Sequence, residues 1–106
     1  MPRISRHRDR CRTGHLCDTT APVLCSQFTV FANGKPILIR GNRVAPHVIK
    51  NPAYPPSPPP CIPHKAKVNR GSPNVFAQGI PVARLGDSAD FGAMIQGSQN
   101  VFANGG

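Results

Sequence analysis

One nine-residue phrase is present in three copies, and this repeat constrains the fold more than any other feature of the chain. Residues 71–79 read Gly-Ser-Pro-Asn-Val-Phe-Ala-Gln-Gly, and residues 97–105 read Gly-Ser-Gln-Asn-Val-Phe-Ala-Asn-Gly. Residues 25–34 read Cys-Ser-Gln-Phe-Thr-Val-Phe-Ala-Asn-Gly, which we interpret as the same phrase with one residue inserted. Because self-similarity of this kind marks repeated structural units, the phrase predicts a domain of similar β units around a shared axis.

The copies at residues 25–34 and 71–79 each end in a tight corner, and a second β-rich run follows each corner. Asn33-Gly34 precedes the run 36–40, and Gln78-Gly79 precedes the run 81–85. Asn and Gly tolerate the positive φ angles of short hairpin turns, so each couplet is predicted to be a β-hairpin. The 13 Pro and 10 Gly residues also disfavour long helices. The sequence therefore predicts an all-β domain of short hairpins.

The N-terminal segment resembles the second run of such a couplet. Residues 5–9, Ser-Arg-His-Arg-Asp, are similar to residues 83–87, Ala-Arg-Leu-Gly-Asp. We therefore predict that residues 4–9 are the second strand of the couplet that begins with residues 100–103. Such pairing brings the two ends of the chain together and removes edge strands, which are an aggregation risk. The shared aspartate is predicted to form an Asx-type turn.

The length of 106 residues predicts a single domain, 1–106. A proline-rich stretch interrupts the β pattern, and we predict a rigid proline-rich loop over residues 51–63 within that domain. Taken alone, the run is also typical of a polyproline linker or of a docking motif for a proline-binding module. Strands are predicted again within a few residues, which favours the loop.

The chain is strongly basic, with a formal net charge of +9 and five arginines within residues 3–12. This pattern indicates attraction to phosphate, on nucleic acid or on lipid headgroups, or alternatively a solvated basic edge or a contact with an acidic partner. The alternation of basic and aromatic residues that is typical of single-strand binders is not seen in the sequence. Four Asp and no Glu offer little for acid–base chemistry, so we predict that the chain is not an enzyme.

Four cysteines and four histidines lie among the predicted loops. Imidazole and thiolate ligands in tetrahedral arrangement suit zinc, and Cys61 lies three residues before His64. His15 and His47 are further candidates, although the spacing matches no zinc-finger register. Free thiols with surface histidines are the alternative interpretation. A disulfide requires an oxidising compartment, for which the sequence gives no signal.

Residues 71–87 resemble the signature of the PAAR-repeat proteins. The Pro-Ala-Ala-Arg motif of that family is present as Pro81-Val82-Ala83-Arg84, and the N-terminal Asp9-x-Cys11-x-x-Gly14-His15-x-Cys17 is also similar to the family's opening. The resemblance covers nearly the whole chain. It implies a small cone of short β-hairpins with pseudo-threefold repeats and a metal ion at its apex.

The resemblance also implies a ligand set for that ion, which in the family is usually zinc held by three His and one Cys. By position, His15, His47 and His64 correspond to the three histidines. Phe91 stands where relatives commonly carry the cysteine, so we predict Cys61 as the fourth ligand. Cys17, Asp90 and a water molecule are the alternatives, and iron is the alternative to zinc.

The function implied by the resemblance is mechanical. One such tip caps the trimeric β-helical spike of a contractile injection machine and helps to pierce the target envelope, touching the target membrane transiently. The expected location is the central spike tip of a virion tail baseplate, or alternatively a bacterial type VI secretion apparatus, with the protein in the cytoplasm before firing; we favour the phage. A small basic zinc-binding protein that binds nucleic acid is the alternative function.

Overall fold

The computed structural model describes residues 2–15, 17–50 and 61–103. Within these ranges the chain has no helix, and the prediction of an all-β domain built from short antiparallel hairpins is confirmed. No described helix is therefore long and apolar enough to cross a membrane. The strands are β1 Arg10–Arg12, β2 Thr20–Leu24, β3 Phe31–Ala32, β4 Lys35–Pro36, β5 Arg43–Lys50, β6 Cys61–Lys67, β7 Phe76–Ala77, β8 Ile80–Pro81, β9 Ser88–Ala89 and β10 Gly92–Ala93.

The strands form one four-stranded sheet in the order β1-β2-β5-β6 and three two-stranded sheets, β3–β4, β7–β8 and β9–β10. Neighbouring strands are antiparallel throughout. We call β3–β4 and β7–β8 the lower hairpins, and we call β1–β2, β5–β6 and β9–β10 the upper hairpins. The chain passes from a lower to an upper hairpin twice, and the two sets pack around two separate apolar clusters.

A ring of three backbone hydrogen bonds marks a pseudo-threefold axis. Ser5 N–H donates to Ala83 O over 3.0 Å, Ala83 N–H donates to Leu38 O over 2.9 Å, and Leu38 N–H donates to Ser5 O over 2.9 Å. The three residues hold the same place in three successive units. The first unit is residues 26–68, the second is residues 71–94, and the third joins residues 97–103 to residues 2–24.

The predicted closure of the chain is confirmed. Arg3 pairs with Phe102 in an antiparallel bridge, and Ile4 N–H donates to Val101 O over 2.9 Å. This pairing makes a third lower hairpin from the two ends of the described chain.

The turn between lower and upper hairpins is the same in all three units. Asp9 Oδ2 accepts from Arg6 N–H over 2.7 Å, and Asp87 Oδ2 accepts from Arg84 N–H over 2.8 Å. In the first unit the acceptor is Asn42. An Asx side chain at this position satisfies a backbone donor that no strand partner can reach, which confirms the predicted Asx-type turns.

The first copy of the repeat has no insertion, which corrects the alignment inferred from residue identity. Gln27 Oε1 accepts from the backbone N–H groups of Thr29 and Val30, both over 2.9 Å. In the other copies the hydroxyls of Ser72 and Ser98 accept from the equivalent two donors. The copies therefore align without gaps as residues 26–34, 71–79 and 97–105. The amide oxygen of glutamine replaces a serine hydroxyl, and identity matching cannot detect that exchange.

The two lower hairpin turns adopt the predicted conformation. Asn33 and Gly34 have φ values of 55° and 76°, and Gln78 and Gly79 have φ values of 53° and 76°. Two successive positive φ values are typical of the turn whose twist matches that of a β-hairpin.

Two small apolar clusters form the core, one at each end of the units. Each cluster takes equivalent residues from all three units, so the packing repeats around the pseudo-threefold axis. The lower cluster contains Ile4, Ala32, Ile37, Ile39, Ala77, Val82 and Ala103. The upper cluster contains Cys11, Ala21, Val23, Leu38, Val44, Val68, Ala83, Ala89 and Met94.

The proline-rich loop predicted over residues 51–63 is only partly described. Residues 61–63 belong to strand β6, so this end of the predicted loop is β structure. Residues 51–60 lie outside the described ranges, as do residues 104–106.

Candidate metal centre

The upper hairpins bring three histidines together around one aspartate. His15 comes from the β1–β2 connection, His47 and His64 come from the paired strands β5 and β6, and Asp90 comes from the β9–β10 turn. The register places His47 directly opposite His64. All three upper hairpins therefore contribute to the cluster, and residues far apart in sequence meet at one end of the molecule.

The nitrogen and oxygen atoms of the cluster are close. Asp90 Oδ1 lies 2.9 Å from His15 Nε2 and 3.1 Å from His64 Nε2, and Asp90 Oδ2 lies 2.9 Å from His47 Nε2. The side chains of His47 and Asp90 are each 3% exposed, and those of His15 and His64 are 12% and 26% exposed. The cluster is therefore buried on the side of His47 and accessible from the side of His64.

The ring of His47 is oriented by its second nitrogen. His47 Nδ1 lies 2.9 Å from the carbonyl oxygen of Ala45, and since a carbonyl can only accept, Nδ1 carries the proton. Nε2 of a neutral His47 is then a lone-pair donor that faces the carboxylate of Asp90. A proton on Nε2 or a cation between the two groups makes this contact favourable. Histidines that bind metals are usually oriented by such a hydrogen bond from the second ring nitrogen.

The hydrogen bonds to Asp90 favour its ionised form. Burial raises the pKa of Asp90, but the bonds with His15, His64 and His47 together outweigh that effect, and the pKa lies below the ordinary aspartate value. The carboxylate is therefore charged near neutral pH, as a ligand to a cation must be.

The donor set fits a zinc ion. Zinc is bound by imidazole nitrogen and carboxylate oxygen at about 2.0–2.2 Å in a tetrahedral arrangement, so two of its ligand atoms lie about 3.3 Å apart. The three nitrogen–oxygen distances in the cluster, 2.9–3.1 Å, are a few tenths of an ångström shorter. The ligand atoms of His15, His64 and Asp90 all lie within 4.8 Å of one another, and His47 reaches the same carboxylate.

Two glycines permit the close approach of the hairpins. A Cβ on Gly14 would lie 2.5 Å from the carbonyl oxygen of Phe91, and a Cβ on Gly92 would lie 1.9 Å from that of Arg12. Any larger residue would push the β9–β10 turn away from the β1–β2 connection. These glycines therefore hold Asp90 within reach of His15.

Cys61 is not part of the cluster, which corrects its assignment as the fourth ligand. Its sulfur is bonded to that of Cys17 in a disulfide with Cα atoms 6.2 Å apart, and a disulfide sulfur is not a thiolate ligand. The expectation that no disulfide forms is corrected as well. An antiparallel bridge between Cys17 and Ile49 brings the β1–β2 connection onto β5, close to the start of β6. Such pairing across strands cannot be seen from residue spacing.

Asp90 takes the place in the cluster that was predicted for Cys61. Phe91, the position compared with the cysteine of relatives, is 81% exposed and lies beside the ring of His15 with centroids 4.8 Å apart. The carboxylate comes from the preceding residue, whose φ of 55° turns its side chain toward the histidines. The sequence signal for this residue is its place in the turn that follows the Asx motif of the second unit.

The opposite end of the units carries exposed phenylalanines. Phe31, Phe76 and Phe102 hold the same place in the three lower hairpins and are 53%, 54% and 43% exposed. The alanine that follows each of them is buried in the lower cluster. More than two fifths of each phenylalanine is exposed, so these three rings contribute little to the core.

A comparison with protein families gives one match. The chain matches the family described as PAAR motif over residues 13–96 and again over residues 60–106. The two matched ranges together reach from just before the first histidine of the cluster to the end of the chain. No curated protein sequence matches it.

Proposed function

The chain belongs to the PAAR-motif family of contractile injection systems, and we propose from this premise that it is a tip that caps a trimeric β-helical spike. The family is a structural family of spike tips, which supports a mechanical rather than an enzymatic role. One tip seats on one trimer, with the lower hairpins against the spike and the metal centre at the leading end. The proposed task is to help the spike to pierce the target envelope.

The observation that carries this proposal is the set of Phe31, Phe76 and Phe102. A threefold partner offers the same surface three times, and these three exposed rings offer three equivalent apolar contacts around a pseudo-threefold axis. Aromatic side chains are enriched in the cores of protein interfaces. The end of the molecule that bears them is thus suited to a trimeric partner.

Co-purification with the cognate trimeric spike protein tests the docking. We expect the triple variant Phe31→Ser, Phe76→Ser, Phe102→Ser to lose the spike, because the apolar contact is removed from all three units. Phe91→Ser is the matched control, since Phe91 is also exposed but lies beside the histidines. Retention of the spike by the folded triple variant, or equal loss in the control, would overturn the docking face.

We further propose that His15, His47, His64 and Asp90 hold one metal ion, with zinc favoured and iron as the alternative. When bound, the ion would cross-link the three upper hairpins. Structural zinc in small domains contributes on the order of 10 kcal/mol, which is comparable to the whole stability of a typical domain, about 5–15 kcal/mol. A domain whose core consists of two small clusters gains much from such a cross-link.

Elemental analysis of purified protein tests the metal site. One equivalent of zinc or iron is expected in the parent chain and a substoichiometric amount in His47→Ala. Asp90→Ala separates the carboxylate from the imidazoles, since a three-histidine site with water would keep its metal. A parent chain that binds neither metal after refolding with excess zinc would remove this part of the proposal.

The place of action follows from the docking. We propose the tip of the central spike, in a phage tail baseplate or in a bacterial secretion apparatus, and we favour the phage. The single-domain organisation over residues 1–106 also stays a prediction. The alternative of a nucleic-acid-binding zinc protein is tested by titration with a labelled oligothymidylate, alongside the peptide titrations below.

A further inference from the structure

A groove of about 670 Å³ lies where the third unit meets the first, with Leu85 of the second unit also in its lining. Arg3, Arg8 and Lys35 line it, and all three residues are exposed. None of these three side chains forms a hydrogen bond or an ion pair with the part of the chain that the structure describes. They therefore present three unneutralised positive charges to whatever enters the groove.

A fourth cation beside the groove is already paired with other side chains. Arg6 also lines it, and its Nε lies 3.0 Å from Asp9 Oδ2 while its Nη1 donates to Asn33 Oδ1 over 3.1 Å. Asn33 belongs to the first unit and Arg6 to the third. The contact holds the two walls together, so the groove is a fixed feature of the unit boundary.

The pseudo-threefold axis provides an internal control for the role of these cations. Residues that hold the same position in the other units carry no charge, although their backbones make the same pairing. The corresponding residues are Pro36 and Pro81 for Arg3, Gly41 and Gly86 for Arg8, and Ile80 and Pro2 for Lys35. The scaffold therefore does not require a cation at any of these positions, and one unit boundary of the three has all of them.

The backbone conformation of Arg8 is energetically unfavourable. Its φ is 71°, whereas Gly41 and Gly86 at the same position have φ values of 90° and 89°. An L side chain in this left-handed region is disfavoured, and glycine is the usual residue there. A strained residue that the fold does not need points to a function for its side chain.

We propose that this groove binds an acidic peptide segment of the spike protein on which the lower hairpins dock, and the proposal in this form rests on the proposed function. Leu85 and Ile95 give the groove an apolar wall beside the cations, and Gln96 and Asn100 supply amide groups. Carboxylates can pair with the cations while aliphatic side chains cover the apolar wall. No aromatic side chain is among the described lining residues, so the stacking platform of a single-stranded nucleic-acid site is missing.

The position of the groove suits a segment that extends from the spike. Lys35 and Asn100 belong to the two lower hairpins that carry Phe31 and Phe102. A protein seated on those rings would lie directly beside the mouth of the groove. The three cations are present at one of the three boundaries, so one acidic segment binds per tip even when the partner is a trimer.

Fluorescence anisotropy with a labelled peptide of alternating Glu and Leu tests the site without the spike. The groove variant Arg3→Gln, Arg8→Gly, Lys35→Gln is expected to bind the peptide at least about tenfold more weakly than the parent, on the scale of several exposed ion pairs. The control variant Arg12→Gln, Arg40→Gln, Arg70→Gln removes the same charge from exposed positions outside the groove. We expect a change of less than about threefold in the control, because only general attraction is reduced.

Two further titrations distinguish an acidic peptide from a phosphate polymer as the ligand. A labelled oligothymidylate and inorganic polyphosphate are titrated under the same salt, and both are expected to bind more weakly than the peptide. Tighter oligothymidylate binding that the groove variant abolishes would replace the peptide by a phosphate polymer. Equal losses in the groove and control variants would overturn the site altogether.

Failure of the docking proposal and failure of the groove proposal give different experimental results. Near-ultraviolet circular dichroism first checks that the groove variant is folded, and the single variants Arg3→Gln and Lys35→Gln serve if it is not. If the parent binds the peptide but never co-purifies with a spike, the docking fails and the acidic site stands. If docking through the phenylalanines holds and the peptide does not bind, the groove proposal alone is wrong.

Discussion

Replacement of Arg8 by glycine should stabilise the protein, although most substitutions destabilise. Arg8 has a φ of 71°, and the equivalent Gly41 and Gly86 have φ values near 90°. A Cβ added to either glycine would have no neighbouring atom within 4 Å, so the space around the turn is open in the other units. Backbone conformation alone decides which residue is preferred.

The size of the gain follows from two opposing terms. Relief of an L residue from the left-handed region contributes about 1–2 kcal/mol, and the greater freedom of glycine in the unfolded chain returns about 0.5–1 kcal/mol. The net gain is about 0.5–1 kcal/mol, and since 1 kcal/mol shifts Tm by about 4–8 °C in a domain of this size, we expect Tm to rise by about 2–8 °C.

Thermal unfolding followed by circular dichroism measures the effect, with the disulfide intact and zinc in excess. Arg8→Gln is the matched control, because it removes the charge and keeps the strained backbone. We expect it to change Tm less than Arg8→Gly does. The reverse substitutions Gly41→Arg and Gly86→Arg should each lower Tm by a similar amount.

Three results would refute the reasoning. Arg8→Gly could lower Tm, which would mean that the arginine contributes to the fold. Arg8→Gln could raise Tm as much as Arg8→Gly does, which would assign the effect to repulsion among the basic residues. Gly41→Arg could leave Tm unchanged, which would mean that the three turns are not equivalent.

Three further outcomes are expected around the histidine cluster. Chelation of the metal should lower the stability by several kcal/mol, up to the order of 10 kcal/mol, and His47→Ala should make Tm insensitive to the chelator; a parent Tm that the chelator does not change would contradict this. The double variant Cys17→Ser, Cys61→Ser opens a cross-link with a sequence separation of 44 residues and should lose about 2–4 kcal/mol in denaturant titrations; unchanged stability would show that the bond contributes nothing. In metal-free protein the lowered pKa of Asp90 means that its ionised form adds stability above the unfolded pKa, about 4, and that this stability is lost as the pH falls through the folded value; Asp90→Asn should therefore flatten the acid end of the stability curve, and an unchanged acid limb would refute the assignment.

The repeat in the sequence predicted most of the scaffold because each unit relies on local chemistry. The Asn-Gly and Gln-Gly corners of the first two units are short-range signals. So are the Asx turns and the buried alanine after each phenylalanine, which are present in all three units. The closure of the chain could be predicted for the same reason, since residues 5–9 keep the arginine and aspartate of the turn at residues 83–87. Gln27 performs the task of a serine in the other copies, so alignment by residue identity placed the first copy of the repeat in the wrong register.

The site was harder to predict because it depends on how the hairpins lie against one another. The three histidines were identified from a family pattern, but the partner in the centre depends on which residue of the β9–β10 turn has the left-handed conformation. Asp90 has it and Phe91 does not. The disulfide likewise depends on the bridge between Cys17 and Ile49 across the sheet, and no local sequence property encodes that distance.

The pairing of Arg3 with Phe102 has a consequence for synthesis on the ribosome. The first and second units are each contiguous in sequence, but the third unit contains the earliest and the latest residues of the described chain. Its N-terminal half must wait, with Ile4 uncovered, until residues 98–103 have left the exit tunnel. Contacts between such distant residues slow folding, and uncovered apolar strands invite association with other chains. The arginines within residues 3–12 give that strand a positive charge, and charge of one sign opposes association between copies.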